Sequence, residues 1–124
     1  MNAVVDTHAL YWFLNADKRL SKKAKTAIEE AVRVVIPTIV LLELFYLLQK
    51  KGQREAFSLA FEKFKNNNKY IFASLDLTAV EEVIKMSSAL EMHDSIVTAT
   101  AQMLKLPIVT KDRTIRKMYK ETIW

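Results

Sequence analysis

Four carboxylates stand where their neighbours make a carboxylate conspicuous. Asp6 ends the apolar run Ala3–Val5, and Asp112 follows the short segment Pro107–Thr110. Asp94 heads a stretch of small and apolar residues reaching Leu104. Glu43 is the only charge in IVLLELFYLL, residues Ile39–Leu48, and no Lys or Arg lies within one helical turn of it. A carboxylate on an apolar helix must be paired, protonated or bound to a metal. Each acid also has an ordinary reading: Asp6, Asp94 and Asp112 can cap the helix that follows, and Glu43 can meet a distant cation.

Together the four acids say more. If they meet about 5 Å apart at an effective dielectric near 20, each like-charge pair costs on the order of 3 kcal/mol. Several such pairs rival the ~5–15 kcal/mol net stability of a small domain, so protons or divalent cations must offset them. The chain has no cysteine and two histidines. A carboxylate-and-water ligand set therefore points to Mg2+ or Mn2+. Such ions activate water and stabilise developing charge in phosphodiester cleavage. Thr7 and Thr110, each beside one of the acids, can orient carboxylates or waters through their hydroxyls, or simply be β-branched residues at strand ends.

Alternating short strands and helices must position these groups. The pattern predicts strands at Ala3–Val5, Arg33–Ile36 (stopped by Pro37), Tyr70–Leu75 and Pro107–Thr110, with a final edge strand in Thr122–Trp124. Helices are expected over Thr7–Leu14, from a Ser21 cap through Ala31, from a Thr38 cap to about Lys50, and over Gln53–Lys65. Three more follow: from a capping box Thr78-x-x-Glu81 to about Leu90, from Asp94 to Leu104, and over Arg113–Tyr119. The helix carrying Glu43 is apolar all round and should be buried. Gly52, the only glycine, is expected at positive φ where that helix ends. These elements imply a three-layer α/β/α fold with a central, mainly parallel twisted sheet. Ligands of such sheets bind beyond the carboxyl ends of the strands, where Asp6 and Asp112 fall.

The 124 residues suit one domain, 1–124. The balance of 51% hydrophobic and 27% charged residues is that of a globular chain. Nineteen Lys and Arg against 14 acids give a net charge of +5, which suits a nucleic-acid partner without requiring one. The start MNAVVD lacks signal-peptide features. The longest apolar run, Ile36–Leu48, is interrupted by Thr38 and Glu43 and is short of the ~20 residues of a membrane span. The expectation is a soluble, cytoplasmic protein with no membrane contact.

With these pieces in view, the chain resembles the PIN-domain family, and within it the VapC-type toxins of toxin–antitoxin pairs. VVDTHALYWFL, IPTIVLLEL, MHDSIVTATA and LPIVTKD carry the resemblance, in the family's order and over most of the chain. It implies a PIN-like fold and Mg2+- or Mn2+-dependent endoribonuclease activity on RNA. It also implies a homodimer or higher homo-oligomer and inhibition by a small antitoxin protein. The family's catalytic and metal-binding acids fall on Asp6, Glu43, Asp94 and Asp112. The family also includes RNA-processing nucleases outside toxin–antitoxin pairs.

Other features are less pointed. Lys111, Arg113, Arg116 and Lys117 can hold RNA phosphates without reading bases, or form a solvated basic helix. His8 and His93 are expected to face solvent or cap helices. Phe57, Ala60, Phe61 and Phe64 recur at helical spacing and are expected in the core, with a partner-facing stripe as the alternative. Rival functions are a non-catalytic RNA-binding or scaffold module and a phospho-acceptor domain. The latter wants adjacent acids after the first strand and an acceptor on a central one, with Asp76 as the only spare candidate.

Overall fold

The computed structural model describes residues 1–86 and 89–124. Among them, five strands form one sheet in the order β3-β2-β1-β4-β5. The strands are β1 (Asn2–Val5), β2 (Arg33–Pro37), β3 (Tyr70–Ala73), β4 (Ile108–Val109) and β5 (Thr122–Ile123). Every neighbouring pair is parallel, with Val4 opposite Val35 on one side and Ile108 on the other. A parallel sheet is covered on both faces, so its strands must be apolar throughout. Ala3, Val4, Val5, Val34, Ile36, Ile108 and Val109 are accordingly all fully buried.

The chain winds outward from β1 through β2 to β3, then returns to the far side of β1 for β4 and β5. Right-handed crossovers put helices on opposite faces when that direction reverses, which produces the three layers. The reversal leaves a crevice between the carboxyl ends of β1 and β4, the usual ligand position in such sheets.

The helices are α1 (Thr7–Leu14), α2 (Lys22–Glu30), α3 (Thr38–Lys50), α4 (Arg54–Lys65), α5 (Leu77–Lys85), α6 (Met92–Leu104) and α7 (Arg113–Met118). None of the described helices is long and apolar enough to cross a membrane. Helix α6 is the central one: it packs on β1 and β2 and against α3 and α5. Ser95 through Ala101 are all buried. Lys105, in the left-handed conformation (φ 56°), turns the chain from α6 towards β4. The Tyr119 hydroxyl ties this turn down by donating to the Leu106 carbonyl at 2.7 Å.

Several boundaries differ from the sequence reading. Helix α6 opens at Met92 with Glu91 in the N-cap position, so Asp94 lies inside the first turn and caps nothing. The Ser95 amide already bonds back to the Glu91 carbonyl at 2.9 Å. Thr38 is the first residue of α3 and gives no side-chain cap; β2 runs through Pro37, which can end a strand because the ladder then needs no further N–H. Helix α5 is capped by Asp76, whose carboxylate accepts from the Ala79 amide at 2.9 Å, and not by Thr78. It ends at Lys85 and not near Leu90, and β3 ends at Ala73. Of the expected length of α5, residues 87–88 lie outside the described chain.

Gly52 takes φ +69° as expected. Of the aromatic stripe on α4, Phe64 is buried, while Phe57 and Ala60 pack partly buried against the core. Helix α3 is not buried all round. Val40, Leu44 and Leu48 face inward, but Leu42 and Tyr46 are 55% and 59% exposed.

Candidate active site

Asp6 follows β1 directly and serves as N-cap of α1, so its carboxylate sits at the crevice between β1 and β4. One oxygen accepts from the Ala9 amide at 2.9 Å, and the other accepts from the Thr110 hydroxyl. Thr110, fully buried just past β4, also accepts from the Asp112 amide at 3.0 Å. One threonine hydroxyl thus joins the two strand-end acids across the sheet.

Asp112 has a double position. Its Oδ1 accepts from the amides of Thr114 and Ile115, at 2.8 and 3.0 Å, capping α7. Glu43 comes in from α3, where its Oε1 accepts from the Thr7 hydroxyl at 2.8 Å. Its Oε2 lies 3.4 Å from Nδ1 of His93. Asp94 enters from the first turn of α6, and among the described residues no hydrogen bond reaches its carboxylate.

All four acids line one cavity of about 530 Å³, with Trp12 and Val97 as apolar wall and Lys111 as the one Lys or Arg lining it among the described residues. Among the described residues no Lys or Arg forms an ion pair with any of the four. The electrostatic consequence is visible at Asp94. Burial, then repulsion from Asp112, Glu43, Asp6 and Glu91, pushes its pKa up to about 6. Burial also pushes Asp6 upward, against the hydrogen bonds from Thr110 and Ala9. The acids are near enough to feel one another, yet among the described residues no three Asp, Glu or His side chains are already gathered as a metal cluster.

The other expected residues are placed as follows. Lys111 lines the acidic cavity, but Arg113, Arg116 and Lys117 line a separate recess of about 350 Å³ with Thr122. Asp76 is committed to capping α5 after the edge strand β3, far from the layout a phospho-acceptor domain wants. His8 is solvent-exposed, as expected, and also lines the cavity. His93 keeps 42% of its side chain exposed, as expected, while its Nδ1 comes within 3.4 Å of Glu43 Oε2.

Glu91 is a fifth acid on the cavity wall that the sequence reading missed. Its one signal was its place three residues before Asp94, which a helix starting at Met92 brings to the same edge. Trp12 also escaped notice as a wall residue. It is buried, its ring flanked by the Arg19 guanidinium at 5.1 Å and the Lys111 ammonium at 5.8 Å. Trp124 packs on it at 5.8 Å between ring centroids.

A fully parallel sheet with several acids lining one cavity at the β1/β4 crevice defines an α/β protein with an acidic candidate site. A profile of the PIN domain family matches residues 3–121, and the chain belongs to that family. Solved structures share the fold. A toxin–antitoxin complex from Klebsiella pneumoniae superposes with a TM-score of 0.75 at 21% identity, covering 98% of this chain and 96% of that one. VapC20 of Mycobacterium tuberculosis, described as a sarcin–ricin-loop-cleaving toxin, gives 0.74 at 18% identity and 93% of each chain. VapBC2 of Rickettsia felis, solved bound to a DNA fragment from its promoter, gives 0.73 at 12% identity over the full length of both. Comparison with curated protein sequences found no match.

Proposed function

We propose that this chain is a divalent-cation-dependent endoribonuclease and the toxin of a toxin–antitoxin pair. In this reading it works in the cytoplasm as a homodimer or higher homo-oligomer, and a small antitoxin protein silences it. The observation that carries the reading is the convergence of Asp6, Glu43, Asp94 and Asp112 on one cavity, with no Lys or Arg ion-paired to any of them among the described residues, inside a PIN-domain fold. The toxin–antitoxin context of the similar structures, and the RNA-cleaving description of one, support the substrate and partner.

Asp6, Glu43, Asp94 and Asp112 would hold the cation, Mg2+ or Mn2+. When bound, it supplies Lewis acidity to a phosphodiester and lowers the pKa of a water. Mg2+ keeps several waters and takes only one or two carboxylates directly, so acids spread round a cavity suit it better than a clenched triad.

The chain's own residues prepare the rest. Thr110 aims Asp6 and Thr7 aims Glu43 before any ligand arrives. Asp112 is fixed through one oxygen by two amides, leaving the other for the cavity. Lys111 stands where it can contact a phosphate without reading sequence. Trp12 and Val97 exclude water from one wall, which strengthens every charge interaction inside.

The test is cleavage of single-stranded RNA with Mg2+, with Mn2+ and with excess chelator. Cleavage should need the cation and should disappear in Asp6→Asn and Asp94→Asn, both still folded by circular dichroism. Undiminished cleavage in either variant would sink the assignment. The toxin part predicts growth arrest on expression, relieved by co-expressing a small open reading frame adjacent to this one.

A further inference from the structure

A second recess of about 390 Å³ opens beside the acidic cavity and shares Thr7, His8 and Glu43 with it. Its volume is within the ~300–1,000 Å³ range of small-ligand pockets. From it we infer a nucleotide subsite for the RNA strand cut next door, with one base against Tyr46 and a phosphate on Lys50. The inference rests on the nuclease reading and adds to it where the strand runs.

Ile39, Leu42, Tyr46 and Lys50 follow at intervals of three or four residues and so share one face of α3. That face runs from the acids at Glu43 to the Lys50 cation two turns on, about 10 Å along the helix. Lys50 is exposed and in no ion pair among the described residues. Tyr46 is 59% exposed, and Phe45 is its only ring partner among them.

An exposed aromatic ring beside aliphatic side chains, with a cation one turn further, is the combination single-stranded nucleic acid uses. Bases stack on aromatic side chains whatever their identity, and a cation tracks the backbone. A purely apolar partner segment fits less well, since it would desolvate Lys50 and the His8 and His93 imidazoles without pairing them. Continuity with the acidic cavity favours a ligand that spans both spaces, as a strand does and an isolated small molecule does not.

The experiment uses the full chain and a short fluorescein-labelled single-stranded RNA, with binding read by anisotropy in chelator and cleavage read in Mg2+. Tyr46→Ala should weaken binding about ten-fold, and Tyr46→Trp should restore it. Lys50→Ala should lower the slope of log affinity against log salt by roughly 0.7. In cleavage both alanine variants should raise KM and leave kcat near its original value. Both side chains are exposed, so the thermal midpoint should hold.

RNA binding and KM unchanged in both variants would overturn the inference. So would a change confined to the mass of the assembly, since the face would then be a protein interface. Failure of the nuclease reading looks different: the unaltered chain then cleaves no RNA with Mg2+ or Mn2+.

Discussion

Helices α3 and α6 invert the usual expectation about which sequences are buried. Helix α3 is built from Leu, Ile, Phe and Tyr, yet Leu42 and Tyr46 lie open. Helix α6 is built from Ser, Thr and Ala with a few larger residues, yet seven successive positions, Ser95 to Ala101, are buried. Small side chains let β1, β2, α3 and α5 close on α6 from several sides. Thr98 and Thr100 lose little there, because their hydroxyls donate to the carbonyls of Asp94 and Ile96 at 2.8 Å. How apolar a helix is thus says less about its burial than how large its side chains are. A large apolar face left open marks a surface with another use, and a small polar helix can be the structural axis.

The sharpest way to break this contrast is at the acids each helix contributes. Asp94→Asn on α6 keeps shape and removes charge, and should lower cleavage roughly 10²–10³-fold, the usual scale for losing one preorganised electrostatic group. Without added cation it should also raise the thermal midpoint at neutral pH, since the carboxylate it replaces is held up to about 6 by burial and its acidic neighbours. Activity falling while stability rises is the signature of a functional acid. A drop in both would make Asp94 a structural residue.

Packing separates the helices next. Ala99 on α6 is fully buried, so Ala99→Leu forces a branched chain into a closed space and should cost about 1–3 kcal/mol or more. Leu42→Ala on α3 removes a side chain that is 55% exposed and should change stability by about 0.5 kcal/mol at most. Chemical denaturation of the two variants checks both. A large loss from Leu42→Ala would mean that the open face is covered in solution by another copy of the chain.

The acids also predict how stability follows pH. The Asp94 pKa lies near 3.8 in the unfolded chain and about 6 in the folded one. A raised carboxylate gives stability that is fully present below about 3.8 and is lost as pH climbs through about 6. The cation-free protein should therefore soften between those values. Partial solvent exposure of Asp94 keeps the effect smaller than the bare shift implies. Mg2+ should raise the melting midpoint at pH 7 and lose that effect near pH 4, where protons have already relieved the repulsion. Asp94→Asn should flatten the slope in this window. An unchanged slope in that variant would assign it to other groups.

Much of this was legible in the chain. Valine runs flanked by turns marked β1 and β2, and Asp6 and Asp112 drew notice by following apolar strands. Glu43 stood out as a lone charge on an apolar helix. What escaped depends on long-range contact or on helical phase. The Thr7–Glu43 bond spans 36 residues and the Thr110–Asp6 bond 104, and no local pattern encodes either partner. A helix start at Met92 in place of Asp94 was enough to hide Glu91 as a wall of the acidic cavity and His93 as a wall of the recess beside it. The turn of α7 decides that Lys111 lines the acidic cavity while Arg113, Arg116 and Lys117 line another recess. Thr78 looked like a cap because Thr-x-x-Glu is a capping pattern, but Asp76, two residues earlier, has the better acceptor.

The smallest expected effect probes the far end of the open helix. Gly52 joins α3 to α4 at φ +69°, and a Cβ there would meet nothing within 4 Å. Gly52→Ala should therefore cost only the left-handed backbone penalty, about 1 kcal/mol, with no steric share. Gly52→Asn should cost less, because Asn tolerates that conformation better than other side chains. If Gly52→Ala instead destabilises by several kcal/mol, the α3–α4 turn must be pressed against something in solution. The open face of α3 would then be covered along its length, by the same kind of close approach that buries α6.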